Sequence, residues 1–442
     1  MTDAIGGVAA PIVPGCPGVG ALPRLIRRDP EMWTRLRERY GDIFRLGLGG
    51  CTVVILCHPD HAYHVLVDAA ERYTDKGGAS GFRETVLGLT GGGLSTMDAQ
   101  DDVWRERRRM LRPLFSHDTL GPLTATLERI VDDRLVAPFA STGEIDVLPP
   151  VASTVLQSLA FQLFGVQLDE RSGKRVERGL DAITSYMWPG MLAARWPRVL
   201  PFPGRGRQRR ELAAVERVIA GLAARRMPGG GGDLLALLQL EPDADAVQPV
   251  RDEAASMLLG SQPLAMSLAW AFRLLAEHPE VQRRIVEELG DDASLAPRIP
   301  SLRFLRSVVK EALRLCPPTY WIQRRAASDD VVAGVRIPAG SLVILQLHQI
   351  HRHPGVWPDP DAFDPERFRR SASERGRNAW MPFGVGWRGC IAHEYSILQM
   401  ELAIGRVLQR VALEPAGRRP VLEATLNLRP RGPVRVRATP RG

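Results

Sequence analysis

Lysine is nearly missing from this chain: only Lys76, Lys174 and Lys310 stand among 58 basic residues. The positive charge is therefore arginine charge, a bias that points to a GC-rich bacterial genome. No stretch approaches the roughly 20 consecutive apolar residues of a membrane-spanning helix. The opening MTDAIGG has no basic cluster leading into an apolar run, so no signal peptide is expected and the chain is placed in the cytoplasm. Cysteine is scarce as well. The five, at positions 16, 51, 57, 316 and 390, are odd in number, widely spaced and free of any CxxC pair. That excludes a disulfide framework and a zinc ribbon as first readings, and leaves four of them as small apolar residues. Internal repeats, low-complexity runs and a clear linker are also lacking, so residues 1–442 read as one large domain. The net charge of +8 suits an acidic partner. The arginines are scattered and lack interleaved aromatics, which makes nucleic acid the weakest choice of partner.

What is present is a core: 45% of the residues are hydrophobic. Asp42–Leu48 and Thr52–Leu56 are short apolar runs across Gly49-Gly50, which predicts a β-hairpin. From about residue 100 the spacing of apolar residues turns to three and four, predicting helices over Asp102–Phe115, Leu120–Ala140 and Arg209–Arg226. A long apolar helix is expected over about 252–276, with Met257, Leu258, Leu264, Leu268 and Phe272 near one face. A second hairpin is expected from Val331–Ile337 to Ser341–Leu345 across Pro338-Ala339-Gly340. The expected class is mainly α with a minor β lobe, its strands at about 42–57 and 331–345.

The segment with most chemistry in it is 382–392, Pro-Phe-Gly-Val-Gly-Trp-Arg-Gly-Cys-Ile-Ala. Its glycines let a tight loop approach a flat object closely. Cys390 is then expected to open an apolar helix over Glu394–Leu408. A thiolate there would gain from the partial positive charge of unpaired helix N–H groups. Taken alone, a glycine-rich loop with a buried thiol reads equally well.

The segment resembles the haem-binding loop of the cytochrome P-450 family, Phe-x-x-Gly-x-Arg-x-Cys-x-Gly: Phe383, Gly386, Arg388 and Cys390 match, and Ala392 stands where the family has glycine. Glu311-Ala312-Leu313-Arg314 resembles the family's Glu-x-x-Arg helix motif, whose two charges lie one turn apart. The family couples that pair to an arginine in a Pro-Glu-Arg-Phe segment, here Arg367 in 365–368. Trp104-x-x-x-Arg108 resembles the helix whose side chains bind a haem propionate, and Arg324 and Arg388 match two further propionate ligands. The likeness runs from about residue 12 to 435. It implies the cytochrome P-450 fold, haem b (iron protoporphyrin IX) held by Phe383, Gly384, Gly386 and Arg388 with Cys390 on the iron, and a thiolate that favours O–O cleavage.

One segment departs from the family. The long helix should cross the distal haem face with an Ala-Gly-x-Glu/Asp-Thr signature, yet this chain reads Leu259-Gly260-Ser261-Gln262-Pro263-Leu264. Gly260 is kept, but the acid–alcohol pair that helps deliver protons is replaced by Gln262 and Pro263. Glutamine is no general acid near neutral pH, and proline has no side-chain proton. A family branch that uses hydrogen peroxide also has proline here, preceded by arginine. Gln262 and Pro263 are expected over the distal face. Phe82, Leu87, Met187, Trp188, Leu259, Tyr320, Trp321 and Ile322 are expected to line an apolar substrate pocket. The first reading is a monooxygenase-type tailoring enzyme for an apolar or amphipathic secondary metabolite. Its electrons would come from a ferredoxin and a ferredoxin reductase docking near Arg105, Arg107, Arg109 and Arg112. Two alternatives stay open: dioxygen-independent chemistry (opening of an N–O or O–O bond, or a nitrene-type, peroxide-type or isomerase/cyclase reaction), and a haem-binding protein without turnover.

Overall fold

A computed structural model describes residues 7–15, 28–48, 51–74, 91–97, 102–141, 143–193, 204–225, 234–237, 247–370, 378–425 and 427–441. Its long helices are α1 (Glu31–Tyr40), α2 (Asp102–Leu111), α3 (His117–Val131), α4 (Leu148–Phe164), α5 (Glu170–Ala193), α6 (Arg205–Ala224), α7 (Val247–Leu258), α8 (Ser261–Glu277), α9 (Pro279–Leu289), α10 (Arg303–Leu315) and α11 (His393–Arg410). Helix α4 shows why such segments form. Its prolines fall in the first turn, where a missing N–H is no loss, and Gly165 ends it in the left-handed conformation. None of the described helices is long and apolar enough to cross a membrane.

Helix α8 is the centre of the molecule. From Leu264 to Ala276 every residue but Met266 is buried. It packs on α4, and Phe272 meets Phe139 with 5.1 Å between ring centroids. The Ser267 hydroxyl donates to the Cys316 carbonyl at 2.7 Å, fixing α8 against the end of α10. Leu268, Phe272 and Leu275 are each fully buried, worth about 1.5–3 kcal/mol apiece.

Most strands cluster apart from the helical core, while Gly143–Asp146, Val411–Pro415 and Arg435–Pro440 form a three-stranded sheet that packs into it. The largest sheet runs Ile12–Val13, Ile43–Leu48, Cys51–Leu56, Leu342–Leu345, Ile322–Ala326, Tyr73–Thr74. The hairpin expected at 42–57 is there, with Ile43 opposite Leu56. The one expected at 331–345 is not. Asp330–Val332 pairs instead with Val335–Ile337 across Ala333-Gly334. Leu342–Leu345 lies in the larger sheet, parallel to Cys51–Leu56 and antiparallel to Ile322–Ala326. Both turn residues have positive φ, 47° at Ala333 and 79° at Gly334, the geometry of a two-residue hairpin. Alanine is an unusual occupant of that position, so the turn signal was weak.

Prolines and caps trim the expected helices. Pro113 turns the end of the first into a 3-10 segment, Arg112–Phe115. The second starts at His117, capped by the Ser116 hydroxyl, and continues beyond α3 through a wider turn at Asp132–Val136. The expected distal helix 252–276 is two helices. Pro263 explains the interruption at Leu259-Gly260. In a continuous helix it would deprive the Leu259 carbonyl of its partner; with α8 starting at Ser261, it falls in the first turn, where no such bond is needed.

Candidate active site

The cysteine loop joins the strand lobe to the helices. Gly384 N–H donates to the Met381 carbonyl, Gly389 N–H to Gly386 and Cys390 N–H to Phe383, at 3.0, 3.0 and 2.9 Å. These bonds curl the loop on itself. Gly386 has φ +75°, and a Cβ there would lie 2.3 Å from the Leu66 carbonyl oxygen. Only glycine lets the loop rest on that backbone. Gly386 thus seats the loop on the 64–68 turn and does not line the cavity described below. Helix α11 begins at His393 with Ala392 as its cap, so Cys390 precedes the helix and does not open it. Help from the helix N-terminus is correspondingly weaker, because it fades within the first turn.

Cys390 faces a cavity of about 390 Å³. One wall is the loop itself, Pro382–Val385 and Arg388–Ala392. The opposite wall is the junction of α7 and α8, with Met257, Leu259, Gly260, Ser261, Pro263 and Leu264. Leu94, Val155, Trp321 and Ile322 add apolar surface, and Trp104, Arg108 and Arg324 are also part of the lining. The other described thiols are unlike Cys390. Cys57 and Cys316 are buried, and burial pushes both thiols up, Cys316 to about 11. Cys390 is exposed.

Three guanidinium groups enter this apolar space. Arg108 donates to the Gly389 carbonyl at 2.6 Å, Arg388 to the Met97 carbonyl, and Arg324 to that of Gln323 at 2.8 Å. Arg108 and Arg388 both lie over the Trp104 ring, 5.4 and 5.1 Å from its centroid. The Trp104 indole N–H donates to the Leu94 carbonyl at 3.1 Å. Burial lowers the Arg108 pKa, while the charge of Cys390 opposes that shift. A thiol open to an apolar cavity and ringed by arginines fits a flat, metal-bearing group with carboxylate arms.

Behind the loop, Glu311 and Arg314 are both fully buried. Arg314 donates to both Glu311 carboxylate oxygens, at 2.7 and 2.8 Å, and to the carbonyls of His351, Pro360 and Ala362. Arg367 Nε lies 3.4 Å from Glu311, and the Asp364 N–H donates to Glu311 at 2.9 Å. The pairing expected one helical turn apart is present, and it clamps α10 to the 351–368 segment.

Several expected positions need correction. Gln262 is turned away from the cavity: its amide donates to Asp181 at 2.8 Å and accepts from the Thr184 hydroxyl, both on α5. The helical rotation of about 100° per residue takes it off the face of Ser261 and Leu264. Tyr320 is buried against Ala424 and Leu428, its hydroxyl donating to the Thr425 carbonyl at 2.9 Å. Arg107 is directed inward to Glu253 at 3.2 Å, leaving Arg105, Arg109 and Arg112 exposed. Phe82 and Leu87 lie outside the described residues, as do the side chains of Met187 and Trp188. Sequence reasoning missed Ser95 and Ser256, two hydroxyls of the cavity wall. Isolated serines carry no motif that could have marked them.

This architecture and this cavity define a haem-thiolate oxidoreductase. The family model for cytochrome P-450 matches residues 11–227 and 251–436, and the chain belongs to that family. It is 30% identical to pentalenene oxygenase of Streptomyces avermitilis over 93% of either chain. It is 29% identical to cyclooctat-9-en-7-ol 5-monooxygenase of Streptomyces melanosporofaciens, over 90% of this chain and 89% of that one. The retinoic acid bound cyanobacterial CYP120A1 shares the fold with a TM-score of 0.84, covering 98% of this chain and 100% of that one at 22% identity.

Proposed function

We propose that the protein is a dioxygen-dependent monooxygenase of secondary metabolism, acting on a small apolar or amphipathic molecule. The observation that carries this reading is the apolar cavity between Cys390 and the α7–α8 junction, in a chain related to two named oxygenases. Haem b, when bound, supplies oxygen activation, and the thiolate favours O–O cleavage. Cys390 would hold its iron; Arg108, Arg324 and Arg388 would hold its carboxylates, with Trp104 as the platform under two of them. Leu94, Leu259, Leu264, Trp321 and Ile322 would bind the substrate by apolar contact and exclude water from it. The exposed arginines Arg105, Arg109 and Arg112 would receive a small acidic ferredoxin, itself reduced by a ferredoxin reductase.

Pentalenene and cyclooctat-9-en-7-ol are the first probes to try. With NADPH, a ferredoxin and its reductase, isotopically labelled dioxygen should place one labelled atom in the product. Full conversion of either probe without dioxygen would overturn the reading in favour of dioxygen-independent chemistry, an isomerase- or cyclase-type reaction for these probes, which needs no acid–alcohol pair.

Arg108→Ala and Arg388→Ala should each lower the haem retained through purification, read as haem absorbance per protein. A charge-assisted bond is worth about 1.5–3 kcal/mol, so haem affinity should fall roughly tenfold or more for each. Full retention in both variants would refute the cradle.

A further inference from the structure

Glu253 is fully buried on α7, two turns before Gly260. One carboxylate oxygen lies 3.2 Å from Arg107, and the other accepts the Leu94 N–H at 3.1 Å. Three residues further along α7, Ser256 lines the cavity and accepts the adjacent Ser95 N–H at 3.1 Å. Residues three apart share a helix face, and both side chains here reach the same two-residue stretch, Leu94-Ser95. The bond to Ser95 leaves the Ser256 hydroxyl hydrogen to point elsewhere. The Ser261 hydroxyl, by contrast, donates back to the Leu258 carbonyl at 2.7 Å.

We propose that Glu253 and Ser256 form a displaced acid–alcohol pair that carries protons into the cavity, in place of the pair lost at Gln262 and Pro263. The inference rests on the oxygenase reading. The Glu253 oxygens hold Arg107 and the Leu94 N–H, and the Ser256 oxygen holds the Ser95 N–H, so the proton crosses between the two side chains through one water. Glu253 gives its carboxyl proton to the water, the water passes one to the Ser256 oxygen, Ser256 gives its own hydroxyl proton into the cavity, and Glu253 is reprotonated from solvent along the part-exposed Arg107 side. One proton passes inward and no electrons move. The groups facing Glu253 are Arg107 of α2, the Leu94 N–H and its own neighbour Asp252. Burial raises its pKa to about 7 against the opposing pull of Leu94 and Arg107, so it holds a proton in the range where it must give one up.

The first test reads the carboxyl directly. Infrared spectra of the holoenzyme should show a carboxylic acid C=O band that titrates near pH 7, is lost in Glu253→Gln and shifts in Ser256→Ala. Glu401, also raised to about 7 by burial, contributes a band that the difference between wild type and E253Q removes. No band lost in E253Q overturns the proposal. The second test follows dioxygen consumption driven by NADPH through ferredoxin and reductase, with pentalenene as probe. Wild-type consumption should fall as pH rises through about 7. E253Q keeps an acceptor for the Leu94 N–H; it should be slower by roughly tenfold or more and lose that pH dependence. S256A should be slowed likewise. A purely structural tether would leave the pH profile in place, and that result overturns the relay alone. No dioxygen consumption by wild type defeats the oxygenase reading, and the relay with it.

Discussion

Arg314→Ala should give a chain that does not fold to a haem-competent state. Arg314 is fully buried, with five hydrogen bonds: two to Glu311 and one each to the carbonyls of His351, Pro360 and Ala362. Removing one partner of a buried ion pair costs about 3–5 kcal/mol, because the other charge stays behind. Orphaned buried carbonyls add about 1 kcal/mol or more each. Native proteins are stable by only about 5–15 kcal/mol. Arg367, 3.4 Å from Glu311, cannot replace the lost contacts, since it already donates to the Pro358 and Asp359 carbonyls. Lysine should not rescue the variant, because a point charge cannot span two carboxylate oxygens and three carbonyls. The check is urea unfolding together with haem content. Lys174→Ala, which breaks an exposed pair with Glu170, should change neither. A stable, haem-replete Arg314→Ala protein would contradict the reading of Glu311 and Arg314 as the clamp behind the loop.

Cys390→Ser should separate chemistry from fold. The exchange is nearly isosteric. The loop is held by backbone bonds at Gly384, Gly389 and Cys390 that the side chain does not make, so urea unfolding of the haem-free chain should be unchanged. Dioxygen-dependent turnover should fall at least about a hundredfold, a barrier higher by about 2.7 kcal/mol, because serine oxygen cannot donate electron density as a thiolate does. Turnover within about threefold of wild type would remove Cys390 from the reaction.

The parts of this molecule most legible in its sequence are those in which chemistry fixes residue type and spacing together. Glu311 and Arg314 must be one turn apart to pair, and Gly386 must lack a Cβ to rest on Leu66. Helices were legible as periodicity, and their ends less so. The interruption at Leu259-Gly260 depends on where Pro263 can be tolerated, which amphipathic spacing does not show. The direction of Gln262 depends on Asp181 and Thr184, about 80 residues away in sequence. Glu253 sits inside a segment read simply as helix. Its importance arises only when Arg107 and Leu94 fold over it, and no local pattern reports such a contact.

The central claim is that Cys390, alone among the five cysteines, ligates the haem iron. It is tested most directly by the absorption spectrum of the reduced carbon monoxide complex, recorded for wild type and for single serine replacements of Cys16, Cys51, Cys57, Cys316 and Cys390. The account predicts the strongly red-shifted Soret band of a thiolate haem in wild type and in the first four variants, and its loss in Cys390→Ser. A wild-type spectrum without that band, or a Cys390→Ser protein that keeps it, would contradict the account.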